Sequence, residues 1–146
     1  MSTTTKQTNL SQEAIWRVLS DPQAYADWVV GAKEVRDVSG PWPAPGAEIH
    51  HTVGVATAEN KDVTVVLEAE APRHLKLKAH IRPLGVAEVT IDLARTEDGT
   101  EIVMNEIMVD GIASHVPQKL NDVGLHPRNV KTLDRLVELA RQQTET

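Results

Sequence analysis

Glu106 and His51 are the residues whose types and positions could do chemistry: a carboxylate and an imidazole, a familiar acid–base combination, each set on an apolar strand face. Apolar residues alternate through Ala87, Val89, Ile91 and Leu93, then through Ile102, Met104, Glu106 and Met108. Asp98-Gly99 between the two runs favours a two-residue hairpin turn. With Glu97 and Thr100 flanking that turn, Ile91 opposes Glu106, and directly opposed residues share a sheet face. That face is the apolar one, so Glu106 is expected to point inward. Ile91, Met104 and Met108 carry no charge, so the carboxylate is expected to have no cation beside it; the alternative is a structural tether to a polar residue such as Asn129. A three-residue loop would reverse the parity and expose Glu106.

His51 shares the odd face of its strand with Ala47, Ile49, Val53 and Val55 and is expected inside, with His50 outside. A buried histidine there is either held by a backbone or hydroxyl partner or presented to a pocket. His74 and His80 alternate with Lys76, Lys78 and Arg82 on a polar face that reads as solvated surface. His115 and His126 fall in or beside the connection before the last helix. No histidine pair has the i,i+4 or i,i+2 spacing of a metal site, and phosphate-binding glycine loops are absent, so neither metal nor cofactor is expected. Ser11 reads as a helix cap, Ser20 and Ser39 precede breaks, and Ser114 lacks a nucleophile elbow.

The elements that must position these groups follow from periodicity. Thr3 to Thr8 reads as a polar edge strand. Ser11 caps a helix through Leu19 with Ala14, Ile15, Val18 and Leu19 on its inner face. Asp21-Pro22 starts a second short helix carrying Tyr25 and Trp28. A strand over Lys33 to Ser39 and a rigid loop, Gly40 to Gly46, come next. Further strands are expected at Ala47 to Ala56, Val63 to Ala69, Leu75 to Ile81, Val86 to Arg95 and Ile102 to Val109. Turns are expected at Glu59 to Asp62, Ala71 to Arg73, Arg82 to Gly85 and Asp98-Gly99. The last helix is expected to begin near Pro127, burying Val130, Leu133, Val137 and Ala140 and exposing Lys131, Asp134, Arg135, Glu138 and Arg141. Consecutive antiparallel strands closed by one long helix make an α+β sandwich.

Composition bounds the function. A chain of 146 residues suits a single domain, residues 1–146. The net charge of −6, with no clustered basic face, argues against a nucleic-acid partner. No apolar stretch approaches a membrane span, the N-terminus has no signal-peptide core, and cysteine is absent, all of which suit the cytoplasm. With no Phe, the core must be built from Val, Leu, Ile and Ala, which pack a sheet well but leave space where it curves away from its cover.

Strand, two short helices, a strand meander and a long C-terminal helix, in that order, resemble the helix-grip fold of the START and birch-pollen-allergen superfamily (SRPBCC). Ala14-Ile15-Trp16-Arg17-Val18-Leu19-Ser20-Asp21-Pro22, followed by Tyr25-Ala26-Asp27-Trp28-Val29, is similar to the opening of its polyketide cyclase/dehydrase-like branch. Gly40 to Gly46, His50-His51 and Arg128-Asn129 resemble an actinobacterial-type subgroup. The resemblance implies a curved antiparallel sheet of about seven strands wrapped around the C-terminal helix, enclosing a cavity for a small hydrophobic ligand such as a lipid, polyketide or aromatic compound. Residues expected to line it are Tyr25, Trp28, Trp42, His51, Ile91, Met104, Glu106, Met108, Asn129 and Leu133. Three strands should separate those of His51 and Glu106, about 19 Å on a flat sheet at ~4.8 Å per step, so the two are expected on opposite walls. Binding or transport of such a ligand by a monomer or homodimer is one reading. A cyclase-, dehydratase- or hydrolase-like enzyme using Glu106 and His51 is a second, and a protein-interaction module with a filled core is a third.

Overall fold

The computed structural model describes residues 2–55, 58–81, 85–115 and 117–145, with side chains at 53–61, 81, 112–113 and 118–125 outside the description. Strand β1 (Ser2–Thr8) leads into helix α1 (Gln12–Leu19), a 3-10 turn (Pro22–Ala24) and helix α2 (Tyr25–Trp28). Strands β2 (Ala32–Ser39), β3 (Glu48–Val55), β4 (Ala58–Glu70), β5 (His74–Ile81), β6 (Gly85–Thr96) and β7 (Gly99–Asp110) follow, then a 3-10 turn (Ile112–His115) and helix α3 (Gln118–Glu145). The strands form one open antiparallel sheet in the order β1-β7-β6-β5-β4-β3-β2. The β2–β3, β4–β5 and β6–β7 pairs each carry register shifts, which interrupt the regular ladder. The expected architecture is the one observed.

Local chemistry explains the first elements. Ser11 Oγ accepts from the Ala14 N–H and Asp21 Oδ1 from the Gln23 N–H, each satisfying a donor that a helix start leaves open. The inner face of α1 is Ala14, Ile15, Val18 and Leu19, as the spacing predicts. It packs with Leu133, Leu136, Val137 and Ala140 of α3 and with the inner faces of β5, β6 and β7 to form the core.

Four expectations change. The β6–β7 hairpin turns at Glu97-Asp98, because Thr96 pairs with Gly99, so Val89 rather than Ile91 opposes Glu106. Each strand shifts by one residue, parity is preserved, and Glu106 stays inside at 1% exposure. Glu59 to Asp62 is not a turn: the chain runs extended from Ala58, pairing as far as Val55↔Ala58. Of the expected Arg82 to Gly85 turn, 82–84 lie outside the described residues, and Gly85 already pairs with Ile81. Helix α3 begins at Gln118, with Pro127 inside it, because tertiary packing overrides the lost backbone donor that made proline look like a start. Its buried stripe is Asn129, Thr132, Leu133, Leu136, Val137 and Ala140, whereas Val130 is 39% exposed.

Candidate functional site

Two small adjoining chambers lie on the inner side of the sheet, near α2 and α3. The inner one, about 30 Å³, is bordered by Tyr25, Trp28, Val29, Leu77, Ala79, Val89, Met104, Glu106, Arg128 and Thr132. The outer one, about 70 Å³, is bordered by Tyr25, Val29 to Ala32, His51, Ala79, His80 and Arg128. Tyr25, Val29, Ala79 and Arg128 belong to both walls.

Glu106 is carried by β7 and faces a cation the sequence pattern did not foresee. Arg128 Nη1 donates to both carboxylate oxygens at 3.3 Å, and Arg128 Nε donates to the Val30 carbonyl at 2.9 Å. One helical turn on, Thr132 Oγ1 accepts from the Val30 N–H at 3.2 Å. Residues i and i+4 of α3 thus clip both polar groups of Val30, fixing the α2–β2 segment over the chambers. The expectation of a carboxylate without a cation is overturned, and so is the tether to Asn129. The side-chain amide of Asn129 is buried with no hydrogen-bond partner, and so is Ser2 Oγ on the strand position opposite Glu106.

His51 is carried by β3 and is buried on the expected face. Its Nε2 lies 2.9 Å from Thr64 Oγ1, and Tyr25 Oη lies 2.8 Å from the same oxygen. The rings of Tyr25 and His51 are 5.3 Å apart. Asp62 is directly across from His51 in the β3–β4 pair and is buried too. Burial pushes the imidazole down to about 4, with the nearby Asp62 charge opposing the shift and Arg36 reinforcing it. Desolvation likewise raises Tyr25, so its phenol keeps its proton.

The remaining expected residues divide. Tyr25, Trp28 and Met104 border the chambers. Ile91, Met108 and Leu133 are buried in the core without bordering either chamber. Trp42 is partly buried; its indole N–H donates to the Leu19 carbonyl at 3.0 Å, and its ring stands edge-on to Tyr25 at 6.3 Å. His80, expected on a solvated face, is half-buried and borders the outer chamber near the end of β5. His50 pairs outside with Glu48 at 3.1 Å, and His115 and His126 are exposed.

Thr64, Asp62, Arg128 and Thr132 were missed. From Val63 to Ala69 the odd positions carry Val63, Val65, Leu67 and Ala69 and the even ones only Val66, so alternation points to the odd face, whereas Asp62, Thr64 and Val66 are the buried ones. For Arg128 a signal existed: stepping back from Leu133 and Leu136 in helical spacing reaches 132, 129 and 128. Among the described residues, no group of three or more His, Cys, Asp or Glu could hold a metal ion. Also among them, no helix is long and apolar enough to cross a membrane.

His51 and Glu106 are not hydrogen-bonded to each other; each is engaged by another partner, so no acid–base dyad is preformed. The geometry offers two separated titratable anchors, Glu106 and His51, each held by its own partner in the interior.

The fold is shared with solved structures of low sequence identity. Protein NE0264 from Nitrosomonas europaea superposes with a TM-score of 0.76 at 18% identity, covering 99% of this chain and 96% of that one. Ara h 8.0201 superposes with a TM-score of 0.73 at 8% identity, covering 96% of each. The AHSA1-like protein from Aeromonas hydrophila superposes with a TM-score of 0.64 at 20% identity, covering 94% of this chain and 92% of that one. No curated protein matches the sequence. The family described as "Polyketide cyclase / dehydrase and lipid transport" matches residues 2–141, and the chain belongs to that family.

Proposed function

We propose that this protein binds, and in the cell carries, a small apolar molecule bearing a polar group, held between the sheet and α3. The observation that carries this reading is the pair of adjoining chambers, apolar in most of their lining, with Glu106 bordering the inner one, His51 the outer one and Arg128 both. Polar groups this deep cost stability unless matched, and a cavity is where such a cost serves recognition. The family, whose description includes lipid transport, supports a hydrophobic ligand. A cysteine-free chain suits work in a reducing cytoplasm.

The chambers are small in this state. An apolar void of about 150 Å³ admits benzene, and drug-sized ligands occupy roughly 300–1,000 Å³. A lipid or fused-ring ligand therefore requires the α2–β2 segment to move off α3, breaking the Val30 contacts to Arg128 and Thr132. Catalysis is the weaker reading because Glu106 and His51 are engaged by Arg128 and Thr64 rather than by one another.

Native mass spectrometry of gently purified protein tests the reading. The expected result is a small-molecule mass increment that organic extraction removes. A bare mass, together with a thermal transition unmoved by fatty acids, sterols and aromatic polyketides, would contradict it.

A further inference from the structure

A buried hydrogen-bond chain in this interior ends on an unmatched atom. Tyr25 Oη, Thr64 Oγ1 and His51 Nε2 are linked in series at 2.8 and 2.9 Å. All three residues are buried, and His51 Nδ1 has no hydrogen-bond partner. The chain holds three hydrogens: the phenol's, the hydroxyl's and one on a neutral imidazole. Burial keeps the imidazole neutral at ordinary pH.

Counting the arrangements fixes where the third hydrogen goes. If Tyr25 donates to Thr64 and Thr64 donates to Nε2, both links form and the imidazole hydrogen sits on Nδ1. The reversed chain leaves the Tyr25 hydrogen and the Nδ1 lone pair both unmatched. Aiming the Tyr25 and Nε2 hydrogens together at Thr64 strands the Thr64 hydrogen and again leaves Nδ1 empty. The first arrangement leaves the fewest groups unmet, which is the rule for buried polar atoms. It makes His51 Nδ1–H a donor without an acceptor, on a residue in the wall of the outer chamber.

We propose that the outer chamber receives the carbonyl oxygen of a neutral ligand on His51 Nδ1–H. This rests on reading the interior as a ligand site, and it names the polar group that site selects. A carbonyl is acceptor-only, whereas an alcohol or amine would bring a hydrogen needing its own buried partner. A carboxylate fits less well. Arg128 is the cation in this wall, and both oxygens of Glu106 already engage it, so an anion would meet a neutralised guanidinium with a second carboxylate behind it. Val29, Ala32 and Ala79 supply apolar wall for the carbon skeleton. Asp62, opposite His51 on the same face, is the competitor within the chain for the Nδ1 hydrogen.

The test uses two probes of one shape, cyclohexanone and methylenecyclohexane, which differ only in C=O against C=CH2 and which, being at least as large as benzene, both enter only as the Val30 contacts to Arg128 and Thr132 open. Each is titrated by NMR into the full chain and into His51→Leu and Thr64→Val. Comparing variants for each probe cancels the probes' different costs of leaving water. Cyclohexanone is expected to lose roughly tenfold in affinity on His51→Leu, and methylenecyclohexane to change less than about twofold. Thr64→Val, which frees the tautomer, should shift the ketone alone in the same direction. Equal changes for both probes would overturn the carbonyl assignment while leaving the cavity as a ligand site, which is also the outcome if Asp62 holds the hydrogen. No binding of either probe would overturn both. Should His51→Leu fail to fold, the long-range imidazole 15N spectrum of the unsubstituted protein decides: Nδ1–H is expected, and an Nε2–H tautomer overturns the proposal.

Discussion

Arg128 Nη1 lies 3.3 Å from each carboxylate oxygen of Glu106, so a side chain on the long helix neutralises a charge on the inner face of β7. Glu106 is 1% exposed in its side chain and Arg128 28%, so the pair joins the deep interior to the surface. A buried charge stripped of its partner is far more costly than the intact pair is stabilising.

Arg128→Ala is therefore expected to destabilise toward the lower end of roughly 3–5 kcal/mol, because water reaches part of the guanidinium site and can partly replace it. Arg128→Ala combined with Glu106→Gln should recover much of that loss, since the stranded charge is gone. Urea unfolding of the two single variants and the double variant measures the coupling. Additive losses would show that the two side chains do not act as a pair.

The helix face gives a second contrast. Leu133 is fully buried, and Leu133→Ala is expected to cost about 2–5 kcal/mol through lost contact and residual space. Val130, placed inside by its sequence spacing but exposed in the fold, should tolerate Val130→Ala within about 0.5 kcal/mol. Similar losses from both would mean that the helix is rotated from its described position.

Two histidines should leave opposite marks on the pH dependence of stability. His74 donates toward Asp92 at 2.6 Å and Glu68 at 3.0 Å, and these bonds raise it above the ordinary histidine value. Its stabilisation is fully present below about 6.5 and is lost as pH rises through the raised value, so His74→Gln should matter most in mild acid. His51 is held down at about 4 by burial. The unfolded chain then binds the extra proton between about 4 and 6.5, so this site's contribution is present above 6.5 and is lost as pH falls toward 4. Denaturation curves from pH 4 to 9 should show His51→Leu flattening the acid side and His74→Gln the alkaline side. Both variants flattening the same side would refute the assignment.

Much of this fold is legible in residue order, for reasons that differ from site to site. Parity places Glu106 and His51 inside, and for Glu106 it survives a one-residue slip on each strand of its hairpin; the slip itself is invisible in the sequence because after Asp98 a turn is what Gly99 suggests. Its backbone instead passes so close to β1 that an added Cβ would stand 2.1 Å from the Thr8 carbonyl oxygen, so packing demands the glycine. The polar run Glu59 to Asp62 looked like a turn because composition cannot report the cross-strand pairing that holds it extended. Arg128 was hidden behind Pro127, a residue that usually marks a helix start and here lies within one. Tertiary pairing decided each of these.

The central claim is that a ligand enters the interior, and the methionine methyls report it directly. Met104 borders the inner chamber, whereas Met108, four residues further along the same strand face, sits in the core without bordering either chamber. In a methyl NMR titration with cyclohexanone, Met104 and the nearby Ala79 methyl should shift saturably at one common affinity while Met108 moves little. Saturable shifts confined to surface methyls, or equal movement of Met104 and Met108, would contradict an interior binding site.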